Sequence, residues 1–158
     1  MKVGVEPSLL ISCLFNSLSM VVQTKSLSLH THRESEIVDI TSRVQAILEK
    51  ANVRDGVASL FVPGSTAALT TIEYEPGLLK DFPALLDRLI PKDIPYEHEK
   101  HWHDGNGHSH VRASMIGPDL FVPFQKRRLM LGTWQQIVFV ELDVRLRDRT
   151  VLVQLIGE

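Results

Sequence analysis

The sequence predicts an α+β sandwich of about seven strands with two helices, and three observations predict it. Strand and helix patterns interleave in the first half of the chain, strand patterns dominate its final stretch, and apolar residues alternate with polar ones in several of the strand candidates. A length of 158 residues, with 44% apolar and 23% charged side chains, suits one globular domain with a single sizeable core. Residues 20–158 are read as that domain.

The first strand is VVQTKSLSLHT (Val21 to Thr31), whose alternation marks a half-buried strand, and Glu36 to Ile40 is a short second one. Thr41 or Ser42 then caps a helix, because Ile40, Val44, Ile47, Leu48 and Ala51 recur at helical spacing and Gly56 stands beyond its end. The nearly continuous apolar run VASLFVP (Val57 to Pro63) predicts a strand buried on both faces. Gly64-Ser65-Thr66 turns the chain into a further strand rich in β-branched residues, Leu69 to Tyr74. Pro76 suits a first helical residue, and Leu78, Leu79, Phe82, Leu85, Leu86, Leu89 and Ile90 form the stripe of a second helix that Pro91 stops. His110 to Ile116 reads as a short helical turn ended by Gly117-Pro118. Three strands follow, DLFVPF, QQIVFVELDV and RTVLVQLIGE, the first two separated by the basic turn Lys126-Arg127-Arg128.

Residues 1–19 are expected to be an N-terminal extension or a mis-assigned start before Met20. Their apolar run, Leu9 to Phe15, is too short to span a bilayer. A secretory leader is the alternative, since Ser17-Leu18-Ser19 has a small-x-small pattern, but Glu6 offsets Lys2, the only positive charge at the start. Seventeen Lys and Arg against 19 Asp and Glu leave a charge of -2, without the basic footprint of a nucleic-acid binder. Cys13 is the only cysteine, which excludes an intramolecular disulfide and a thiolate metal knot. A cytoplasmic protein with no membrane partner is expected.

The chemistry concentrates in HEKHWHDGNGHSH, which holds five of the seven histidines between His98 and His110. Imidazole is a common ligand of zinc, and His-x-His on an extended segment points both rings to one side. His101-Trp102-His103 and His108-Ser109-His110 have that spacing, and the turn Asp104-Gly105-Asn106-Gly107 could bring the pairs together with Asp104 as an oxygen ligand. The bland alternative is a solvated surface loop. Ser109 could cap the short helix and leave a phosphate-binding N-terminus. Ser65 and Thr66 offer hydroxyl and backbone donors, and Glu73 a carboxylate, unless the segment is an ordinary strand connection. Thr133 and Gln135 in Gly132-Thr133-Trp134-Gln135 could line a pocket at a sheet end, or merely flank an anchoring tryptophan. Arg145, Arg147 and Arg149 alternate, as an anion site or as a solvated turn paired with Glu141 and Asp143.

Taken together, GSTAALTTIEYEPGL, YEHEKHWHDGNGHSHVRASMIGP, LGTWQQIVFVELD and VQLIGE resemble the YjbQ-type family, members of which carry the label secondary thiamine-phosphate synthase. The resemblance covers about Met20 to Glu158. It implies a β-sandwich of two sheets with two helices, assembled as a homotrimer, with polar motif residues near the subunit interfaces. His98 and His110 match the family's recurring histidines, Asn106 an acidic or amide position, Ser114 the serine before the glycine, Glu73 the strand-end glutamate, and Thr133 to Gln135 the GTWQ motif. Many relatives carry a histidine where this chain has Gly64, so His108 or His103 would substitute as metal ligand.

The implied reaction joins a pyrimidine methyl pyrophosphate to a thiazole phosphate and releases pyrophosphate. His98, His110 and Glu73 would hold a divalent metal, zinc or magnesium, and serve catalysis there. Arg112 and Arg147 would meet phosphate oxygens, while Thr133 and Gln135 orient a ring. The competing expectations are a phosphate-ester hydrolase and a non-catalytic trimeric metal- or anion-binding protein.

Overall fold

The computed structural model describes residues 20–158. The expectations for segment 1–19, Cys13 included, lie outside the described residues. The elements run β1 (Val21–His30), β2 (Ile37–Asp39), α1 (Thr41–Glu49), β3 (Gly56–Phe61), β4 (Ala67–Ile72), α2 (Leu78–Leu89), α3 (Glu99–Trp102), α4 (Gly107–Ile116), β5 (Asp119–Gln125), β6 (Arg128–Leu129), β7 (Gln136–Glu141) and β8 (Asp148–Gly157). The α+β class and the two sheets stand. A five-stranded sheet is ordered β1-β8-β3-β5-β6 and a three-stranded one β2-β7-β4, with antiparallel pairing in both.

The extra strand is β6. Lys126 and Arg127 take φ values of 51° and 60°, the left-handed pair that a two-residue hairpin requires, so Arg128 folds back onto Gln125. The single turn α3 is additional, and the helical turn expected at His110 to Ile116 is the longer α4, which starts at Gly107. Two helix starts also differ from expectation. Asp39 Oδ1 accepts the Thr41 N–H at 2.8 Å and so caps α1 from outside, while the Thr41 hydroxyl accepts the Ile137 N–H at 2.8 Å. The Glu75 carboxylate accepts the N–H groups of Gly77 and Leu78 and starts α2 beyond Pro76.

Two apolar cores flank the three-stranded sheet. The larger fills the sandwich and gathers Val44 and Leu48 of α1, Leu60, Phe139, Val153 and their neighbours. The smaller lies between the opposite sheet face and the helices, where Val138 and Val140 meet Leu86 of α2 and Ala113 of α4. The strand buried on both faces is therefore β7, which separates the two cores. β3 buries only Ala58 and Leu60 and turns Phe61 outward, because nothing in the described residues covers the outer face of the five-stranded sheet. Across that face the register aligns Val22, Ile156, Val57 and Pro123 in one row and Thr24, Gln154, Ser59 and Phe121 in the next. Phe61 and Phe121 are 43% and 62% exposed, an apolar patch of a kind that soluble chains usually cover.

Candidate functional site

The histidine segment folds through a carboxylate clamp. Glu99, the first residue of α3, accepts the N–H groups of Gly105 at 2.7 Å and Gly107 at 2.8 Å, which bends the chain back from α3 into α4. These two bonds hold the Glu99 carboxyl below its usual 4.5. The phosphate site expected at the start of α4 is thus taken by the protein's own carboxylate. Asn106, not Ser109, is the N-cap residue of α4, and its side chain makes no capping bond. Gly107 admits no side chain, since a Cβ there would stand 2.6 Å from that of Tyr96.

The bend brings His98 against His110, with ring centres 4.4 Å apart and planes inclined by 39°. Asp104 Oδ1 lies 3.4 Å from His98 Nε2. Both atoms are buried without a hydrogen-bond partner, as are Asn106 Oδ1 and Ser109 Oγ nearby. Burial and then the adjacent His98 ring push the His110 imidazole below 6.5, outweighing the opposite pull of Asp104, Asp143 and Glu99. Burial thus favours the uncharged form of the His110 ring.

The clip of two His-x-His pairs does not form. His108-Ser109-His110 is helical and His101-Trp102-His103 ends a helical turn at a left-handed His103, so neither pair has the extended backbone on which the two rings share a side. His108 turns to the opposite side, is 3% exposed, and bonds Glu34 Oε1 through Nε2 at 2.8 Å. His103 is the exposed C-cap of α3 at φ 50°, and His101 is exposed as well. Arg112 is equally committed, being fully buried with Nε and Nη2 on the Ile90 carbonyl and Nη2 on Asp87 Oδ1 at 2.8 Å. It ties α4 to the end of α2, out of reach of a phosphate.

Beside His110 lies an ionic network that joins the ends of the two sheets. Glu141, 0% exposed, accepts the Thr31 hydroxyl at 2.9 Å, the Arg149 Nε–H at 2.8 Å and the N–H groups of Leu142 and Asp143. Asp143 accepts the Thr66 hydroxyl at 3.0 Å and Arg147 at 2.8 Å. Burial alone would raise its pKa, but the Arg145 N–H, Arg147 and Thr66 together hold it below 3.8. Arg147 and Thr66, expected on a ligand, are thus partners of Asp143. Arg149 keeps Nη1 uncommitted to Glu141 or Thr66, and that nitrogen lies 3.3 Å from where a Cβ on Gly64 would stand. The place of the absent imidazole borders a guanidinium. Ser65 and Ser114 line a small cavity of about 110 Å³ with Gly64 and Pro118, and the Ser114 hydroxyl donates to the His110 carbonyl at 2.8 Å.

Glu73 and Thr133 lie elsewhere. They share an open groove of about 350 Å³ with Asp39, Tyr74 and Trp134, at the far end of β4. The six residues of β4 separate it from Thr66, about 20 Å at roughly 3.3 Å per residue. Gln135 spends its carbonyl on the Gly132 N–H at 2.8 Å. Within one chain the expected site therefore divides in two, with the histidines, Ser65 and Ser114 at one end and Glu73 and Thr133 at the other.

A neutral, partly buried His110 has a consequence for stability. The unfolded chain takes up a proton near pH 6.5, while the folded chain does so only at lower pH. Stability should therefore fall as pH drops below 6.5 toward the folded-state value, before the carboxylates begin to protonate. Thermal unfolding across this range should show a flatter pH slope for His110→Gln. An unchanged slope would assign the effect to another group.

No helix among the described residues is long and apolar enough to cross a membrane. The profile of the family described as "UPF0047 protein YjbQ-like" matches residues 25–158. A UPF0047 protein of Methanothermobacter thermautotrophicus is 39% identical over 139 residues, covering 88% of this chain and 95% of its own length. The UPF0047 protein YugU of Bacillus subtilis is 35% identical over 135 residues, covering 84% of this chain and 98% of its own. The crystal structure of a YbjQ-like protein of unknown function from Sulfolobus solfataricus P2 superposes with a TM-score of 0.84 at 34% identity, over 89% of this chain and 100% of that one.

Proposed function

The chain belongs to the YjbQ-like UPF0047 family, and on that premise we propose a metal-assisted enzyme that acts on a phosphorylated small molecule, with its metal at His98, His110 and Asp104. The observation that carries this reading is the pair of buried, unpartnered atoms His98 Nε2 and Asp104 Oδ1, 3.4 Å apart. Each unmatched buried polar atom costs about 1–3 kcal/mol, and a shared cation offsets both. Donors bound to one tetrahedral zinc at about 2.0–2.2 Å stand about 3.4 Å apart, so the spacing fits. The donor set favours zinc over magnesium, which prefers oxygen ligands.

Among the described residues no three His, Cys, Asp or Glu side chains already enclose a single point. His110 would complete the set by turning its ring from its stack on His98. Three protein ligands leave a coordination position open, the feature that separates a catalytic from a storage site. A bound ion there would supply positive charge to phosphate oxygens. Arg149 Nη1 would orient the phosphate beside Ser65 and Ser114. A transfer of the thiamine-phosphate synthase type is the reaction the family resemblance implies. Its second half, Glu73 and Thr133, would have to come from another copy, and the uncovered face bearing Phe61 and Phe121 supplies a surface for the homotrimer.

The test is the metal content of untagged protein purified without chelator, set against His98→Ala/His110→Ala. Near-stoichiometric zinc or another transition ion, lost in the variant, is expected. Equal metal in both proteins, or none in either, would overturn the reading.

A further inference from the structure

The extended His-x-His pair of this chain is not in the histidine-rich segment but at the end of β1. Thr31 is fully buried and bonded to Glu141, so the residues on either side of it, His30 and His32, share the outward side. Their ring centres are 5.1 Å apart, with planes at 88°. Two imidazoles on one tetrahedral ion, with bonds of about 2.0–2.1 Å, have centres about 5 Å apart.

Each ring is also held from behind by a carboxylate. His30 Nδ1 is 2.7 Å from Asp148 Oδ1, and His32 Nδ1 is 3.4 Å from Glu36 Oε1. Glu36 is itself fixed, since its other oxygen accepts the His32 N–H at 2.6 Å. A carboxylate on Nδ1 fixes the proton there and leaves the Nε2 lone pair free, which is how metal-binding histidines are usually supported. The side chains of His30 and His32 are 62% and 71% exposed. His30 and Asp148 also border an open groove of about 410 Å³.

We propose that His30 and His32 form a second, solvent-facing chelate for a divalent transition cation, separate from His98 and His110, with Asp148 and Glu36 as positioning residues. It uses two protein ligands and fills its other positions with water or an anion from solution.

The experiment is calorimetric titration of zinc chloride into full-length His98→Ala/His110→Ala, which lacks the first site. One ion per chain is expected to bind, with affinity falling at least about tenfold in His30→Gln or His32→Gln. Asp148→Asn should weaken binding by about 10- to 100-fold, the usual effect of removing such a support. In the otherwise native chain, zinc should shift the imidazole NMR signals of His30 and His32 together, which guards against misfolding of the variants. Overturning results are no saturable zinc in the double variant with unmoved His30 and His32 signals, or binding that survives both His30→Gln and His32→Gln.

Discussion

Glu141→Ala is expected to lower the unfolding free energy by about 3–5 kcal/mol, the usual cost of removing one member of a buried ion pair. Glu141 is 0% exposed and its two oxygens serve Thr31, Arg149 and the N–H groups of Leu142 and Asp143. Its loss leaves Arg149, a side chain only 11% exposed, facing a cavity without its carboxylate. The same network fastens β7 of one sheet to β1 and β8 of the other, so the damage reaches both layers. Arg149→Ala should be comparably destabilising, and the double variant should cost clearly less than the sum of the two. Denaturant unfolding of the four proteins checks this. Additive losses would show that the two side chains do not act as a unit.

Phe121→Glu is expected to reduce the proposed trimer to single chains in light scattering while leaving each chain folded. Phe121 projects from β5 opposite Ser59 and is 62% exposed, on a sheet face with no helix over it among the described residues. A carboxylate there costs an isolated chain little, because the position is already in water. At an interface it would be buried without a partner, at several kcal/mol per chain. Phe61→Glu, two residues from Ser59 on the same face, should act alike. If the native protein is monomeric, or Phe121→Glu and Phe61→Glu both stay trimeric, this face is not the contact.

Much of the architecture is legible in local sequence patterns. Alternation in Leu27 and Leu29, the helical spacing of Val44 and Leu48, and the stripe containing Leu86 each report burial through a local periodicity. These patterns are written within one element, so reading them needs no knowledge of what lies opposite. His98 and His110 are legible in the same sense, through density of imidazole and the family motif.

Which of these groups meet depends on how the elements pack. β7, rather than the equally apolar β3, became the doubly buried strand because the helices cover the small sheet and leave the large one bare. The histidine spacing misled because His-x-His converges only on extended backbone, while one clustered pair lies in α4 and the other runs from α3 into its left-handed cap, at a bend held by the Glu99 clamp. The inconspicuous His30-Thr31-His32, on a strand end, has the geometry the others lack. Arg112, Thr66 and Arg147 have the chemistry of ligand contacts, yet Asp87 and Asp143 claim them first. Local pattern gave most of the elements and the residue types available for chemistry, though not β6 or α3. Folding determined the pairings, because a hydrogen bond or ion pair depends on distances set by distant segments, and no local period encodes them.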